Sequence, residues 1–218
     1  MISSDEEADV FEAARAGSPV AAGAFASAEW ARARAAHIAR YWSGEEAPPE
    51  RRAEARALWD EAGLTVRFDC RQGEPPVVSG EPRTERKTIG LWDRDVCELF
   101  ITPEPRDIRN YYEFEAAPTG EWLDLALRVG PGGRETDWDF HSGMTAAAEH
   151  DAEDSYRVAL RVPWAAFGRA PRAGERWRCN LFRCVGADPG RGYLAWRPTH
   201  TPQPAFHVPE KFGWIEFK

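Results

Sequence analysis

The sequence feature that most constrains the fold is a series of short runs in which apolar and polar residues alternate. In LTVRFDC, residues 64–70, every second side chain is apolar, so an extended segment there has one hydrophobic face. A period of two is typical of a strand with one buried face. SYRVALRV, residues 155–162, repeats the pattern and ends at Pro163, which cannot donate a hydrogen bond to a neighbouring strand.

Further strand-like runs follow along the chain, and turn residues such as Pro118 and Gly120 separate them. They are VCELFIT, NYYEFEAA, EWLDLAL, WRCNLFRCV, YLAW and GWIEF. About ten short strands divided by Gly and Pro turns predict an all-β fold, a two-sheet β-sandwich of jelly-roll type. Helix is expected only in a short N-terminal segment, from Ser27 to His37, and in a turn at PWAAFG.

Residues 52–59, RAEARALW, give two conflicting signals. Their alanines and arginines favour a helix, whereas the alternation of apolar and charged side chains is that of a strand. The turn sequence DEAG follows and leads into the alternating run at 64–71. We therefore predict that residues 52–59 and 64–71 form an antiparallel hairpin.

The chain of 218 residues is long enough for one sizeable core, and all-β domains of this length often form a single unit. Residues 1–22 begin with an acidic stretch, which predicts a flexible N-terminal segment, and residues 23–218 are expected to form the folded domain. The N-terminus has neither the basic region nor the apolar core of a secretory signal. The expected location is therefore the cytoplasm, or outside the cell if the true start lies upstream.

The formal net charge is -8, which argues against a general nucleic-acid binder because such proteins need a basic face. No stretch approaches the roughly 20 apolar residues that span a bilayer. The sequence thus predicts neither a nucleic-acid partner nor a membrane partner, and it leaves the oligomeric state open.

The chain has four cysteines at wide or irregular spacings, without a Cys-x-x-Cys pair that would indicate a zinc or redox site. They are Cys70, Cys97, Cys179 and Cys184. Each lies in a strand-like run, where free cysteine behaves as a small hydrophobic residue. We expect four buried thiols.

Signatures of several enzyme classes are absent, including the Gly-x-Ser-x-Gly elbow, the glycine-rich phosphate loop and His-Glu-x-x-His. Acidic residues in or beside the strand-like runs keep open a hydrolase that uses two carboxylates. These residues are Asp95, Glu98, Glu113, Glu115 and Asp124. Sandwich strands commonly carry charges on solvated outer faces, and that is the more frequent explanation for them.

The run LWDRDVCELF, residues 91–100, contains Trp92 and places Glu98 inside an apolar strand, where a carboxylate costs free energy unless something pairs with it. A pyranose has a C–H face that lies well on an aromatic ring and hydroxyls that can donate to a carboxylate. Trp92 and Glu98 are therefore candidates for a sugar site. The alternative is that Trp92 packs beneath a loop and Glu98 pairs with an arginine such as Arg183.

The chain resembles the family 9 carbohydrate-binding modules in an ordered set of blocks, whose order and spacing agree from Trp30 to Phe217. The blocks are LWDRDVCELF, YYEFEAAPTGEWLD, RVPWAAFG, RWRCNLFR, LAWRPT and FHVPEKFGWIEF. The resemblance implies a jelly-roll β-sandwich that holds sugar ends between aromatic rings without catalysing a reaction. It also implies structural calcium, whose ligands the sequence does not identify, and no other cofactor is expected.

The resemblance, with the order of residues along the chain, gives a set of ligand-binding candidates. They are Trp92, Glu98, Phe206, His207, Gln203 and Arg183. Two positions depart from the family pattern. Phe206 stands where the family has a second stacking tryptophan, and Glu115 stands where it has an arginine that bonds sugar hydroxyls.

The function expected from these observations is non-catalytic binding of a mono- or oligosaccharide, such as a chain end. One alternative is a carbohydrate-active hydrolase in which Glu98 acts with a second carboxylate. The other is an interaction scaffold that keeps the sandwich fold and has lost sugar binding, which an exposed apolar patch without a groove would favour.

Overall fold

Strands form nearly all the regular structure in the computed structural model, which describes residues 10–152 and 154–218. The strands are β1 (Val10–Arg15), β2 (Ala36–Ile38), β3 (Arg40–Tyr41), β4 (Ala53–Trp59), β5 (Gly63–Arg71), β6 (Val96–Thr102), β7 (Asn110–Ala116), β8 (Trp122–Gly130), β9 (Gly133–Asp137), β10 (Thr145–Ala152), β11 (Ser155–Pro163), β12 (Arg176–Val185), β13 (Gly192–Ala195) and β14 (Gly213–Phe217). Short 3₁₀ helices lie at Ala28–Arg32, Pro49–Arg51, Leu91–Asp93, Trp164–Phe167 and Pro209–Lys211.

The strands form one hydrogen-bonded sheet that curls into the two layers of a sandwich. Its order is β10-β11-β5-β4-β1-β14-β12-β6-β7-β8-β9, with β2 on β4 and β13 between β12 and β3. Strand β1 joins the two layers because it pairs in parallel with both β14 and β4. The all-β sandwich expected from the sequence is confirmed.

The main core lies between the two layers. Side chains of β5 and β11 such as Phe68 and Val158 belong to the same buried cluster as Leu99 and Phe114 of β6 and β7. Trp164, at the end of β11, is buried in this cluster and its indole N–H donates to the Asp60 carbonyl at 2.8 Å. Burial of each large apolar side chain stabilises the fold by about 1.5–3 kcal/mol.

The predicted hairpin is confirmed, since β4 pairs antiparallel with β5 in a register that places Ala53 opposite Cys70 and Trp59 opposite Leu64. Alternation prevails over helix propensity here because Ala53, Ala55 and Ala57 are all buried against the opposite layer. A helix would have spread these side chains around its circumference.

The N-terminal region differs from its predicted description as a flexible segment of residues 1–22. Val10–Arg15 is a strand whose Phe11 and Ala13 side chains are buried in the core. Burial of these two side chains and pairing on both edges hold the segment in the sheet. Residues 1–9 lie outside the described residues.

The predicted N-terminal helical segment is shorter than the range Ser27 to His37. Only Ala28–Arg32 is helical, as one 3₁₀ turn capped by Ser27, and Ala36–Ile38 is a strand paired with β4. Ala36 and Ile38 point into the core, and only an extended backbone places both there. Nowhere in the described part of the chain is there a helix with the length and hydropathy needed to cross a bilayer.

Strand β6 is buried on both faces, and this arrangement positions the candidate site. Cys97, Leu99 and Ile101 point to the main core between the layers. Val96 and Phe100 point the other way, into a second apolar cluster that includes Phe182, Phe206 and Phe212. The second cluster covers the outer face of the layer, where a sandwich strand is ordinarily solvated.

The burial of all four cysteines predicts that they are reduced and unreactive in the folded protein. Cys70 and Cys97 have their sulfur atoms 3.3 Å apart without a disulfide, and Cys179 and Cys184 are also buried as free thiols. We expect no modification by a thiol reagent under native conditions and modification of four residues after denaturation. Intact mass before and after labelling makes the measurement, and a mass consistent with disulfides would contradict it.

Candidate functional site

A cavity of about 440 Å³ opens on the outer face of the β6–β7–β8 layer. Aromatic side chains form part of its wall, among them Trp92, Trp138 and Phe206. The carboxyl groups of Glu98 and Glu113 line it as well. This volume and mixture of aromatic and polar groups are within the range of small-molecule sites in proteins.

Strand register brings three glutamates together beside this cavity. In β7, Glu113 and Glu115 are two residues apart and therefore point to the same face. In the pairing of β6 with β7, Glu115 lies opposite Glu98, and Glu113 lies opposite Phe100. One carboxylate oxygen from each of Glu98, Glu113 and Glu115 lies within 4.8 Å of the other two. We call these three residues the glutamate cluster.

The glutamate cluster is almost completely buried, with exposures of 2% for Glu98, 3% for Glu113 and 0% for Glu115. Burial raises the pKa of all three carboxyl groups, and repulsion from neighbouring carboxylates raises those of Glu98 and Glu115 further. One oxygen of Glu113 and both oxygens of Glu115 have no hydrogen-bond partner outside the cluster, and Glu113 and Glu115 can share a proton with each other. The cluster therefore has acceptors available for a proton or for a ligand.

Trp92 lies on a short turn that is fixed from two sides. Leu91 is buried in the second apolar cluster, and the half-buried Trp92 packs against that cluster. The Arg191 guanidinium donates to the carbonyls of Trp92 and Arg94, each at 2.7 Å, and to that of Asp93 at 3.1 Å. These bonds hold the backbone of the turn, from which the indole lines the cavity.

Trp138 is a cavity residue that the sequence reasoning missed. It follows β9, is 48% exposed, and its ring centroid lies 6.2 Å from that of Trp92 with the planes inclined at 45°. The signal was available in the stretch ETDWDF, because Trp138 has an aspartate on each side and aspartates are rarely buried. Exposed tryptophan commonly marks a binding surface.

Phe206 and His207 reach the same cavity from the far end of the chain. The Phe206 ring is stacked on Phe182, with centroids 4.1 Å apart and planes at 10°. Nδ1 of His207 is hydrogen-bonded to the Tyr111 hydroxyl at 3.0 Å, and Nε2 lies 3.9 Å from Glu113 Oε2. Burial and the charge of Arg134 lower the pKa of His207 to about 3, so this imidazole is neutral near neutral pH.

The structure thus brings together Trp92, Glu98, Phe206 and His207, and it places two other predicted residues elsewhere. Arg183 is opposite Cys97 in the sheet, so it points into the main core, away from Glu98. Its guanidinium donates to the Arg51 carbonyl and to Gln72, each at 2.7 Å. Gln203 is exposed and lies outside the residues that line the cavity.

The expectation that the strand carboxylates lie on solvated faces is wrong for this chain. Besides the glutamate cluster, Asp95 and Asp124 are also buried. Asp95 accepts the Gly186 amide at 2.7 Å, and Asp124 accepts the amide and hydroxyl of Ser142 at 2.7 and 2.8 Å. These two aspartates brace loops, whereas Glu98 and Glu113 of the glutamate cluster line the cavity and Glu115 is fully buried beside them.

Calcium, which the resemblance implies, needs six to eight oxygen ligands. Among residues 10–152 and 154–218, the glutamate cluster is the one group of three or more acidic, histidine or cysteine side chains whose atoms are close enough to share an ion. Three carboxylates reach the lower end of that range only if each binds through both oxygens. Structural calcium therefore stays a prediction.

The raised pKa of Glu115 predicts that the stability of the fold depends on pH, and that Glu115→Gln makes this dependence weaker. A carboxyl group with a higher pKa in the folded than in the unfolded state stabilises the fold fully below its unfolded pKa, and that stability is lost as the pH rises through the folded pKa. The Gln variant keeps the shape without ionising, so its melting temperature should exceed that of the parent at about pH 8, by ~2–4 °C per kcal/mol gained.

Thermal melts without ligand, from acidic to alkaline pH, make this measurement. Glu61→Gln is the matched control, because its side chain is 93% exposed and it removes the same charge. A Glu115→Gln variant that is less stable than the parent by a constant amount at every pH would contradict the prediction.

The whole fold is similar to that of known carbohydrate-binding structures. A proposed carbohydrate-binding protein from Bacteroides uniformis ATCC 8492 matches with a TM-score of 0.73 at 16% identity, over 96% of this chain and 99% of that one. A family 9 carbohydrate-binding module from Caldicellulosiruptor kristjanssonii, in complex with cellotriose, matches with a TM-score of 0.65 at 18% identity, over 96% and 93% of the two chains. Its complex with glucose matches at 0.64 and 18%, over 96% and 95%.

Sequence comparison identifies the family directly. None of the curated proteins compared with the chain matches it. The model of the family described as "Carbohydrate-binding family 9" matches residues 77–217, which contain β6 to β14 and every residue named above as lining the cavity. Since this match spans more than half of the chain, the protein belongs to carbohydrate-binding family 9.

Proposed function

We propose that the cavity beside the glutamate cluster is the sugar site of this family 9 module, and that it holds a single pyranose ring or the end of an oligosaccharide. One observation carries the proposal. Trp92, Glu98, Phe206 and His207 come from segments about a hundred residues apart, and all four line one cavity. Aromatic walls beside carboxylates supply the two kinds of surface that a sugar requires.

Each side chain has a distinct part in this proposal. The indoles of Trp92 and Trp138 offer apolar surface for the C–H face of the ring. Phe206 already stacks on Phe182 with one face, so only the other face or an edge is available to a ligand. Glu98 accepts from hydroxyls, and the neutral His207 adds a polar contact at the same wall.

The distribution of exposed apolar residues gives no support to the interaction scaffold. In the described part of the chain, the large hydrophobic residues that are exposed are Val78, Ile89 and Trp138. Trp138 lines the cavity, while Val78 and Ile89 lie on the segment between β5 and β6. An interaction surface would require a contiguous apolar patch.

Replacement of Trp92 by alanine is expected to weaken sugar binding much more than it weakens the fold. The proposed contact is lost, so affinity for glucose or cello-oligosaccharides should fall by at least about tenfold. Because Trp92 is only half-buried, its loss should cost less stability than the ~3–5 kcal/mol typical of a buried tryptophan such as Trp177. Calorimetric titration and thermal melts test both statements.

Trp214→Ala is the matched control for this experiment. Trp214 is half-buried on β14, stacks with Arg178 and lies outside the cavity lining. Trp214→Ala should leave sugar affinity unchanged. Equal losses of affinity in the two variants, or no binding of any neutral or charged sugar by the parent, would contradict the proposal.

Glu98→Gln is expected to lower the affinity for neutral sugars and to remove part of its pH dependence. Hydrogen bonds to a charged acceptor contribute roughly 1.5–3 kcal/mol each, so the loss should be at least about tenfold where Glu98 is ionised. The pKa of Glu98 is raised well above its ordinary value by burial and by Glu113, so affinity of the parent should rise with pH through that pKa. A parent profile identical in shape to that of the variant would remove Glu98 from the site.

A further inference from the structure

The glutamate cluster contains more carboxyl groups than recognition of a neutral sugar requires. Its three carboxyl groups are 97% buried or more, and three of their oxygens have no hydrogen-bond partner outside the cluster. One ionised carboxylate can already accept from two adjacent hydroxyls. Three buried carboxylates in contact repel one another and cost free energy unless protons or a cation neutralise them.

The charged and titratable groups around the cluster leave this excess uncompensated. Asp93 and the exposed Arg134 line the cavity, and Arg191 lies close enough to lower the pKa of Glu98. Cys184 contacts Glu98 with its sulfur 3.6 Å from Oε1, and burial keeps this thiol protonated. His207 is neutral and adds no positive charge. The carboxyl groups of Asp93 and the glutamate cluster, four in all, therefore face the two guanidinium groups of Arg134 and Arg191. The guanidinium of Arg191 is already bonded to backbone carbonyls.

The walls of the cavity favour an organic ammonium group over a bare metal ion. Calcium takes six to eight oxygens, whereas the surroundings of the cluster include Leu125, Leu127 and Phe206. The indoles of Trp92 and Trp138 line the same space. Aromatic faces beside carboxylates are the arrangement by which proteins hold substituted ammonium groups.

We infer that the preferred ligand is an amino sugar with a free ammonium group, seated with that group against Glu98 and Glu113, next to the buried Glu115, and with its ring beside Trp92. This inference rests on the proposed function of the cavity. An ammonium group has three N–H donors, as in lysine. Glu98 and Glu113 line the cavity, and one oxygen of the fully buried Glu115 lies within 4.8 Å of an oxygen of each.

The arrangement also gives the site its selectivity. N-acetylation removes the positive charge and adds bulk at the point of contact with the glutamate cluster, so N-acetylated sugars should bind more weakly than free amines. A neutral sugar such as glucose can use the aromatic surface, but it leaves the excess charge to be neutralised by protons. The ammonium form instead allows the cluster to ionise, so its binding releases protons from the cluster.

The test is calorimetric titration of the parent with glucosamine, glucose and N-acetylglucosamine at about pH 6, where the amine is protonated. We expect glucosamine to bind at least about tenfold more tightly than glucose, with a preference that decreases as salt is added. Titration in two buffers of different ionisation enthalpy should show that glucosamine releases more protons on binding than glucose does.

Glu115→Gln should reduce the ratio of glucosamine to glucose affinity by at least about tenfold, because one of three carboxylates no longer attracts the ammonium group. Glu61→Gln removes the same charge from an exposed turn and should leave the ratio unchanged. Melting temperatures of both variants establish that they are folded at the temperature of the titration. An unchanged ratio in Glu115→Gln would overturn the inference.

The remaining outcomes separate this inference from the function on which it rests. Glucose binding as tight as glucosamine binding, and lost in Trp92→Ala, would overturn the amino-sugar preference and leave the proposed function standing. Failure of all three sugars to bind would overturn both. Glucose binding that appears only with added calcium and is lost with a chelator would show that a metal ion occupies the glutamate cluster, and would also overturn the preference.

Discussion

The arrangement of this molecule depends on strand β6, which is hydrogen-bonded to β12 on one side and β7 on the other and is buried on both faces. Its alternating side chains are divided between two environments. Cys97, Leu99 and Ile101 contribute to the main core between the two layers. Phe100 points into the second apolar cluster, and Glu98 lines the cavity. Because both sets are on one strand, the site cannot shift relative to the core without breaking the register of the sheet.

The site combines backbone segments that are held firmly by hydrogen bonds with carboxyl groups whose own hydrogen-bonding capacity is poorly satisfied. Arg191 fixes the turn that carries Trp92, and Asp95 ties the start of β6 to Gly186. Within this frame, Glu115 is fully buried and neither of its oxygens has a hydrogen-bond partner outside the glutamate cluster. Unsatisfied buried acceptors reduce stability, and they persist in proteins mainly where a ligand uses them. The cost of the glutamate cluster is therefore consistent with a binding role. Among the loop-bracing aspartates, one oxygen of Asp124 also lacks a hydrogen-bond partner, but the Lys87 ammonium lies 3.3 Å from it.

Much of this fold could be predicted from local sequence. Segments with strict alternation, such as 64–70 and 155–162, are strands. In residues 52–59 the alternation predicted a strand and the residue types favoured a helix, and the observed hairpin of β4 and β5 agrees with the alternation. The misses were segments whose conformation depends on distant partners. Val10–Arg15 becomes a strand because β14 and β4 flank it, and Ala36–Ile38 because it pairs with β4.

For the candidate site, the sequence by itself determined the chemistry: indole and phenyl rings, a carboxylate within an apolar strand, and an imidazole near the chain end. Tertiary structure alone decided which of these meet. Register set Glu115 opposite Glu98 and turned Arg183 to the other face of the sheet, and the turn after β9 brought Trp138 to Trp92. The physical reason is that side-chain direction changes with every residue of a strand, while the choice of partner strand depends on the curl of the whole sheet.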